Sequence, residues 1–180
     1  VYADLYENWT DVNGFLMADP RIVTGAKTIK YITYRELREL SYMGATVLHE
    51  DAIFPVRFAG IPVNIRNTND VSDPGTMIVS HTDSYDSDDI ITGVAGKKGF
   101  CVITIEKALM NSEKGFGRKV LEAIEKENLS FEHLPSGIDT MSVILNKSEI
   151  SGCKERLINH ICQMVERDTV SIDEGLALIA

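Results

Sequence analysis

At 180 residues the chain has room for one large domain or two small ones. Its net charge of -9 disfavours nucleic acid and anionic membrane surfaces as partners, and no apolar run reaches the roughly 18 residues of a membrane-spanning helix. The three cysteines, Cys101, Cys153 and Cys162, are odd in number and far apart, so they signal neither a zinc site nor a disulfide framework. A reducing, cytoplasmic compartment fits them, with Cys153 and Cys162 as small core residues of a helix. The first residue is Val1 rather than Met, so the lack of a targeting sequence is uninformative.

Residues 8–21 are polar and turn-rich, with Asn13-Gly14 and Asp19-Pro20 as turn dipeptides. Asp11, Asp19 and Arg21 have the chemistry to handle a nucleotide, because a guanidinium suits bidentate phosphate contact. The alternative is a solvated hairpin with an internal Asp–Arg pair. Thr33 and Glu36 form a capping box that opens a helix towards Ala45, with Leu37, Leu40 and Ser41 on one face and Gly44 at its stop. His49, followed by Glu50 and Asp51, reads as a packing residue rather than a base. A second short helix runs from Asp51 to Phe58 and ends at Gly60. Ile61 to Ile65 is a strand, and Pro62 predicts an edge or an entry position. Asn67 to Thr76 is turn chemistry, and Met77-Ile-Val79 is a brief strand. This alternation of helix and strand points to part of an α/β domain. Ser80 to Asp89 carries Asp83, Asp86, Asp88 and Asp89 without apolar periodicity and reads as a solvated linker. It is no EF-hand, since Asp88 stands where the loop glycine belongs.

Beyond it the pattern changes. Ile90 to Ala95 and Phe100 to Ile105 are strand-like, joined by a hairpin-type turn at Gly96-Lys-Lys-Gly99. Phe116 to Lys126 is a helix with Phe116, Val120 and Ile124 inside and Glu122–Lys126 paired outside. Leu129 to His133 and Thr140 to Leu145 are strands. Ser151 is expected to cap a further helix, whose inner face is Leu157, Ile158, Ile161 and Val165. Thr169 to Asp173 is a strand, and Leu176 to Ile179 begins another with no partner in the chain. From Phe100 to Asp173 the order is βαββαβ, a ferredoxin-like unit.

Within this half, Gly115 and Gly117 open a helix with free N–H groups at its positive end, which suits a carboxylate. Glu132, on the next strand, is an acceptor for an ammonium group. An anion seat and a cation seat together suit a free amino acid. The plain alternative is a tight helix entry and a solvent-facing glutamate. The glycines are not a dinucleotide fingerprint, because Val120 takes the third position.

Trp9-Thr-Asp-Val-Asn-Gly14, Ala18-Asp-Pro-Arg21, Tyr34 to Leu40, Gly44 to His49 and Ile61 to Thr68 through Pro74-Gly-Thr76 resemble, in order and spacing, the C-terminal part of the catalytic domain of aspartate kinases. The second half resembles the ACT module of the same enzymes. The resemblance implies an α/β chain: residues 1–80 as a partial amino-acid-kinase domain, 81–89 as an acidic linker, and 90–180 as an ACT domain with the start of a second ACT unit. It implies ATP and Mg2+ as cofactors and phosphorylation of the aspartate side chain, the opening step of lysine, threonine and methionine biosynthesis. Thr10, Asp11 and Arg21 would contact the nucleotide, with Leu16 and Thr46 at two further positions where many relatives carry Tyr and Lys. Met110, Gly115, Phe116 and Gly117 would form an effector loop. Ser130, Phe131 and Glu132 would line the next strand, and Ile138 and Asp139 would come from the following turn. Lysine is the favoured effector, with threonine second, and the ACT sheet implies a homodimer. The family's Lys-Phe-Gly-Gly motif is absent, so a C-terminal fragment without catalytic residues and without turnover is expected. Two other readings are a free-standing amino-acid-binding regulator and a purely structural dimerisation piece.

Overall fold

The structure, a computed structural model, describes residues 3–43, 50–82 and 90–180, with the backbone alone at 50–53. The expected helix stop at Gly44, Thr46, His49 and the acidic residues 83–89 lie outside the described residues. The chain divides into two compact units. One runs up to Lys97 and includes Ile179–Ala180; the other is Lys98–Leu178.

The first unit holds a four-stranded sheet in the order β1-β3-β4-β2, with β1 at Tyr6–Thr10, β2 at Tyr31–Thr33, β3 at Val63–Asn67 and β4 at Thr76–Val79. β1 lies parallel to β3 with Tyr6 opposite Val63, β2 lies parallel to β4, and β3 and β4 are antiparallel. β3 is therefore a central strand, and four of its five residues are buried. Pro62 stands just before it, where its missing N–H breaks no ladder bond, and its carbonyl accepts from Tyr6 N–H. Of the two expectations for Pro62, entry is right and edge is wrong. In residues 8–21, read alternatively as a solvated hairpin, Asn8–Thr10 instead belong to β1, which pairs with β3 far along the chain. Helix α1 (Tyr34–Tyr42) starts at the expected capping box, with Thr33 Oγ1 accepting from Glu36 N–H and Glu36 Oε2 accepting from Thr33 N–H at 2.9 Å. Its Tyr34, Leu37 and Leu40 close a core with Phe15, Ile29, Ile32, Val63, Ile65 and Ile78. Helix α2 (Glu50–Phe58) ends at Gly60, which has a positive φ of 70°.

Two glycines are required here by close approach as well as by φ. A Cβ on Gly75 (φ +72°) would fall 1.9 Å from the Ile65 carbonyl oxygen, and one on Gly14 (φ +103°) 2.2 Å from Thr76 Oγ1. That hydroxyl joins two segments, accepting from Phe15 N–H at 2.8 Å and donating to the Ile29 carbonyl at 2.6 Å.

The second unit is an antiparallel sheet in the order β6-β5-β7, with β5 at Gly96–Glu106, β6 at Thr140–Asn146 and β7 at Thr169–Ile179. Cys101, Ile103 and Ile105 on β5 alternate inward, as do Met141, Val143 and Leu145 on β6. They pack with Phe116, Val120, Ala123 and Ile124 of α3 (Phe116–Lys126) and with Leu157 and Ile161 of α5 (Lys154–Met164). The βαββαβ order stands, with four departures. Gly96–Gly99 is not a turn but the exposed start of the long strand β5. Residues 129–133 do not form a regular strand. Residues 132–137 instead lie irregularly along β6: Glu132 N–H donates to the Ile144 carbonyl, Ile144 N–H donates to the His133 carbonyl, and Ser142 N–H donates to the Pro135 carbonyl. Two residues thus face one, a bulge, and Pro135 has no N–H to return to Ser142. Third, Ser151 does not cap α5. Asn146 caps an extra turn, α4 (Lys147–Ile150), and Ser151 ends that turn while Cys153 stands at the start of α5. Finally, Leu176–Ile179 is not an unpaired new strand. It continues β7 through Gly175, and Ala180 exchanges both backbone bonds with Ala95.

Glu174 on β7 takes 2.6 Å and 3.0 Å contacts from Lys154 and Lys147. Hydrogen bonds from these two ammonium groups pull its carboxyl down to about 2. A carboxyl depressed on folding stabilises fully above its unfolded value near 4.5 and loses that contribution as pH falls towards 2. Melting curves of the wild type and Glu174→Gln should therefore differ at pH 7 and converge near pH 2. Gly75→Ala should cost about 2 kcal/mol or more. Gly60→Ala, where the added Cβ meets open space, should cost only about 1 kcal/mol in the same denaturant titration.

Candidate functional site

β1 and β3 run side by side and end together at Thr10 and Asn67. In open α/β sheets, ligands settle beyond the carboxyl ends of such strands. Thr10 Oγ1 donates to Asp11 Oδ1 at 3.2 Å, and the Thr10 carbonyl accepts from both the N–H and the hydroxyl of Thr68. Asn67 Nδ2 donates to Asn13 Oδ1, and Asn13 Nδ2 donates to Asp73 Oδ2 at 2.8 Å, so the two loops beyond the strands are laced together. Asp11 is exposed, and Leu16 is half-buried and bridged to Thr28. Arg21 is paired with Asp19, Nη2 to Oδ2 at 2.7 Å and Nε to Oδ1 at 3.0 Å, with the guanidinium exposed and the carboxylate half-buried. The pair pulls the Asp19 carboxyl down and raises the guanidinium. This is the internal Asp–Arg pair of the alternative reading. Thr10 and Asp11 sit together, whereas Arg21 belongs to the loop after β1 and already has a carboxylate. Trp9, on the preceding residue of β1, carries the Arg66 guanidinium 5.0 Å from its ring centroid.

In the second unit, α3 opens at Gly115, which has a positive φ of 81° and no side-chain cap. Phe116 is buried in the core, and a Cβ on Gly117 would come within 3.2 Å of Met141 Cε. The loop before α3 is pinned. Met110 is buried, Asn111 N–H donates to the Ile138 carbonyl, Lys107 N–H donates to the Asp139 carbonyl, and Leu109 N–H donates to Asp139 Oδ1 at 2.8 Å. Met110, Gly115, Phe116, Gly117, Ile138 and Asp139 thus form one cluster. Asp139 differs from the sequence expectation: one of its oxygens is engaged in holding the loop.

Ser130, Phe131 and Glu132 form a second cluster at the other end of α3. Ser130 and Phe131 line an open groove of about 510 Å³ with Leu121, Ile124, Glu125, Asn128 and Leu129. Glu132 is half-buried, and its Oε2 is shielded from solvent without a hydrogen-bond partner. Burial, with Glu149 as a second cause, pushes its carboxyl up. It is therefore not the solvent-facing strand residue of the plain reading. Within one chain the clusters lie apart. Gly117 touches Met141, whereas Glu132 bonds to Ile144, three residues or about 10 Å further along β6. Among the described residues no three carboxylate, imidazole or thiol groups converge to cage a metal. No described helix is long and apolar enough to cross a membrane.

Sequence reasoning missed the ion cluster beneath the loop, in which Glu113 joins Lys107 and Lys119. Six residues separate each lysine from Glu113, a spacing that matches no helical pair and gave no signal.

Residues 1–67 match the amino acid kinase family. Over 98% of its length the chain is 46% identical to aspartokinase 3 of Bacillus subtilis, and it covers 39% of that protein. The aspartate kinase of Clostridium acetobutylicum superposes with a TM-score of 0.86 at 56% identity, covering 98% of this chain and 41% of that one. Escherichia coli aspartokinase III in complex with lysine and aspartate superposes with a TM-score of 0.73 at 25% identity, covering 98% of this chain and 39% of that one. Sequence and structure agree along almost the whole chain, and it belongs to the aspartokinase family, spanning about two fifths of the relatives it matches.

Proposed function

We propose that this chain is the regulatory part of an aspartate kinase together with a portion of its nucleotide site, and that two copies bind a free amino acid, L-lysine before L-threonine, to control phosphorylation of aspartate. The observation that carries the reading is the Glu132 carboxylate, shielded on one oxygen and lacking a cation. A buried unpaired carboxylate is costly, and an ammonium group offsets that cost with charge-assisted bonds. The open start of α3 supplies the opposite seat. These seats lie at opposite ends of one helix, which is about 16 Å long. An isologous pair of copies, related by a twofold axis perpendicular to the bulged edge at 132–137, would bring the strand cluster of one beside the loop cluster of the other. The lysine seen with the Escherichia coli relative supports the choice of ligand.

In the first unit, Thr10 and Asp11 suit nucleotide hydroxyls, and Arg21 suits a phosphate once it releases Asp19. Leu16 would supply apolar contact, and Thr46 completes the proposed set. Mg2+ fits this site as an ion carried mainly by nucleotide phosphates with at most one or two protein carboxylates, since among the described residues no three carboxylate, imidazole or thiol groups gather to hold it. When bound, ATP would supply the phosphoryl group. Without the phosphate-binding lysine motif the chain itself is a binding partner rather than a catalyst.

Calorimetry of the 180-residue chain with L-lysine should show saturable binding on a dimer. The same chain with ATP, Mg2+ and L-aspartate should release no ADP. Heat-silent titrations with both L-lysine and L-threonine on folded dimer would defeat the sensing reading. Glu132→Gln should separate stability from function. A carboxyl raised on folding costs stability above its native pKa, so the variant should gain about 1 kcal/mol at pH 7 and nothing below pH of about 4. It should at the same time bind L-lysine at least about tenfold more weakly. Unchanged affinity would remove Glu132 from the site.

A further inference from the structure

Glu113 lies in the segment between β5 and α3, and it is the hub of an ion cluster. Its Oε1 accepts from Lys119 Nζ at 2.7 Å, and its Oε2 lies 3.2 Å from Lys107 Nζ. Lys107 also reaches the exposed Glu166 at 3.6 Å. The Lys107 and Glu113 side chains are only 17% and 24% exposed and Lys119 is 34% exposed, so solvent screens these contacts less than an ordinary surface pair. The three groups come from three places: Lys107 follows β5, Glu113 sits in the loop, and Lys119 is in the first turn of α3.

The loop they tie down is otherwise costly to hold. Leu109 has φ +59° and its side chain is 72% exposed, so it sits in the left-handed region without the reward of burial. Gly115 is left-handed too. Between these two points lies the short 3-10 turn Met110–Ser112. The bond from Asn111 N–H to the Ile138 carbonyl and those from Lys107 and Leu109 N–H to Asp139 fix the first half of the loop. Towards α3, the salt bridges of Glu113 fix the second half.

We infer that Glu113 is a positioning residue of the amino-acid site: gripped by Lys107 and Lys119, it sets the loop so that the N–H groups opening α3 present to the ligand carboxylate. This rests on the reading of that loop as an effector seat. Glu113 does not touch the ligand. Its depressed carboxyl, held down chiefly by the Lys119 hydrogen bond, keeps the hub charged.

Two physical effects of removing the charge oppose each other, and this makes the inference sharp. Glu113→Gln leaves two lysines with less neutralisation beside the positive end of α3. If the cluster acted only through its field, a carboxylate ligand would bind more tightly. If it acts by positioning, the loop loosens and the ligand binds more weakly. A role confined to fold stability moves neither.

The test is calorimetry of the full chain with L-lysine, with amide hydrogen exchange read across residues 109–118. Glu113→Gln and Lys119→Met should each weaken binding about tenfold, and the double variant should lose no more than either single change, as expected of one coupled pair. Amides 109–118 should exchange faster in each variant. Unchanged or tighter binding by Glu113→Gln overturns the inference, as do additive losses in the double variant. If the wild type binds neither L-lysine nor L-threonine, the sensing reading itself fails. Hydrogen exchange then decides for the loop alone: unaltered protection at 109–118 in Glu113→Gln refutes the clamp as well.

Discussion

Three consecutive backbone N–H groups, those of Lys107, Ala108 and Leu109, are each taken by an aspartate. Lys107 N–H donates to the Asp139 carbonyl, Ala108 N–H to Asp168 Oδ2 at 2.7 Å, and Leu109 N–H to Asp139 Oδ1. Asp168 N–H in turn donates to the Glu106 carbonyl, and Thr169 Oγ1 donates to Glu106 Oε2. The end of β5, the turn before β6 and the start of β7 are thereby bound at one point. Everything that makes the second unit interesting hangs from that point. It decides how the loop leaves β5 and where Met110 enters the core.

Much of this architecture could be read from residues. The capping box at Thr33 and Glu36 is local chemistry: both partners lie within one turn, so the sequence contains the whole interaction. The inner face of α3 follows from apolar spacing, as do Leu157 and Ile161 of α5, whereas Ile158 stays outside the core and Val165 joins it from just beyond the helix. The failures came where the deciding partner was distant. Gly96–Gly99 looked like a turn because glycine and lysine dislike strands, but the pairing available in the sheet overrode that preference. The edge at 129–133 looked like a strand because its residues favour one, but the bulge at Glu132 and His133 and the proline two residues on, facing Ser142, break the ladder. Ser151 lost its place as a cap because Asn146 starts a turn earlier.

The candidate site shows the same division. The open start of α3 was legible from two glycines. That Glu132 is shielded was not, because its burial depends on packing near Ile144 and Glu149 rather than on neighbours in sequence. Asp139 was expected to face a ligand, and part of its capacity is instead spent on backbone, a competition that no spacing rule foresees. In the first unit, Arg21 could be recognised as a phosphate-type residue, but so could the Asp19 two positions earlier that now occupies it.

The bulged edge at 132–137 has a consequence for assembly. A straight, fully pairing border recruits any extended peptide and then offers a fresh border to the next, which is how fibres grow. Here the doubled-up residues at Glu132 and His133 and the missing donor at Pro135 spoil that template. The same defect that costs the sheet a regular strand therefore guards its border against open-ended strand addition.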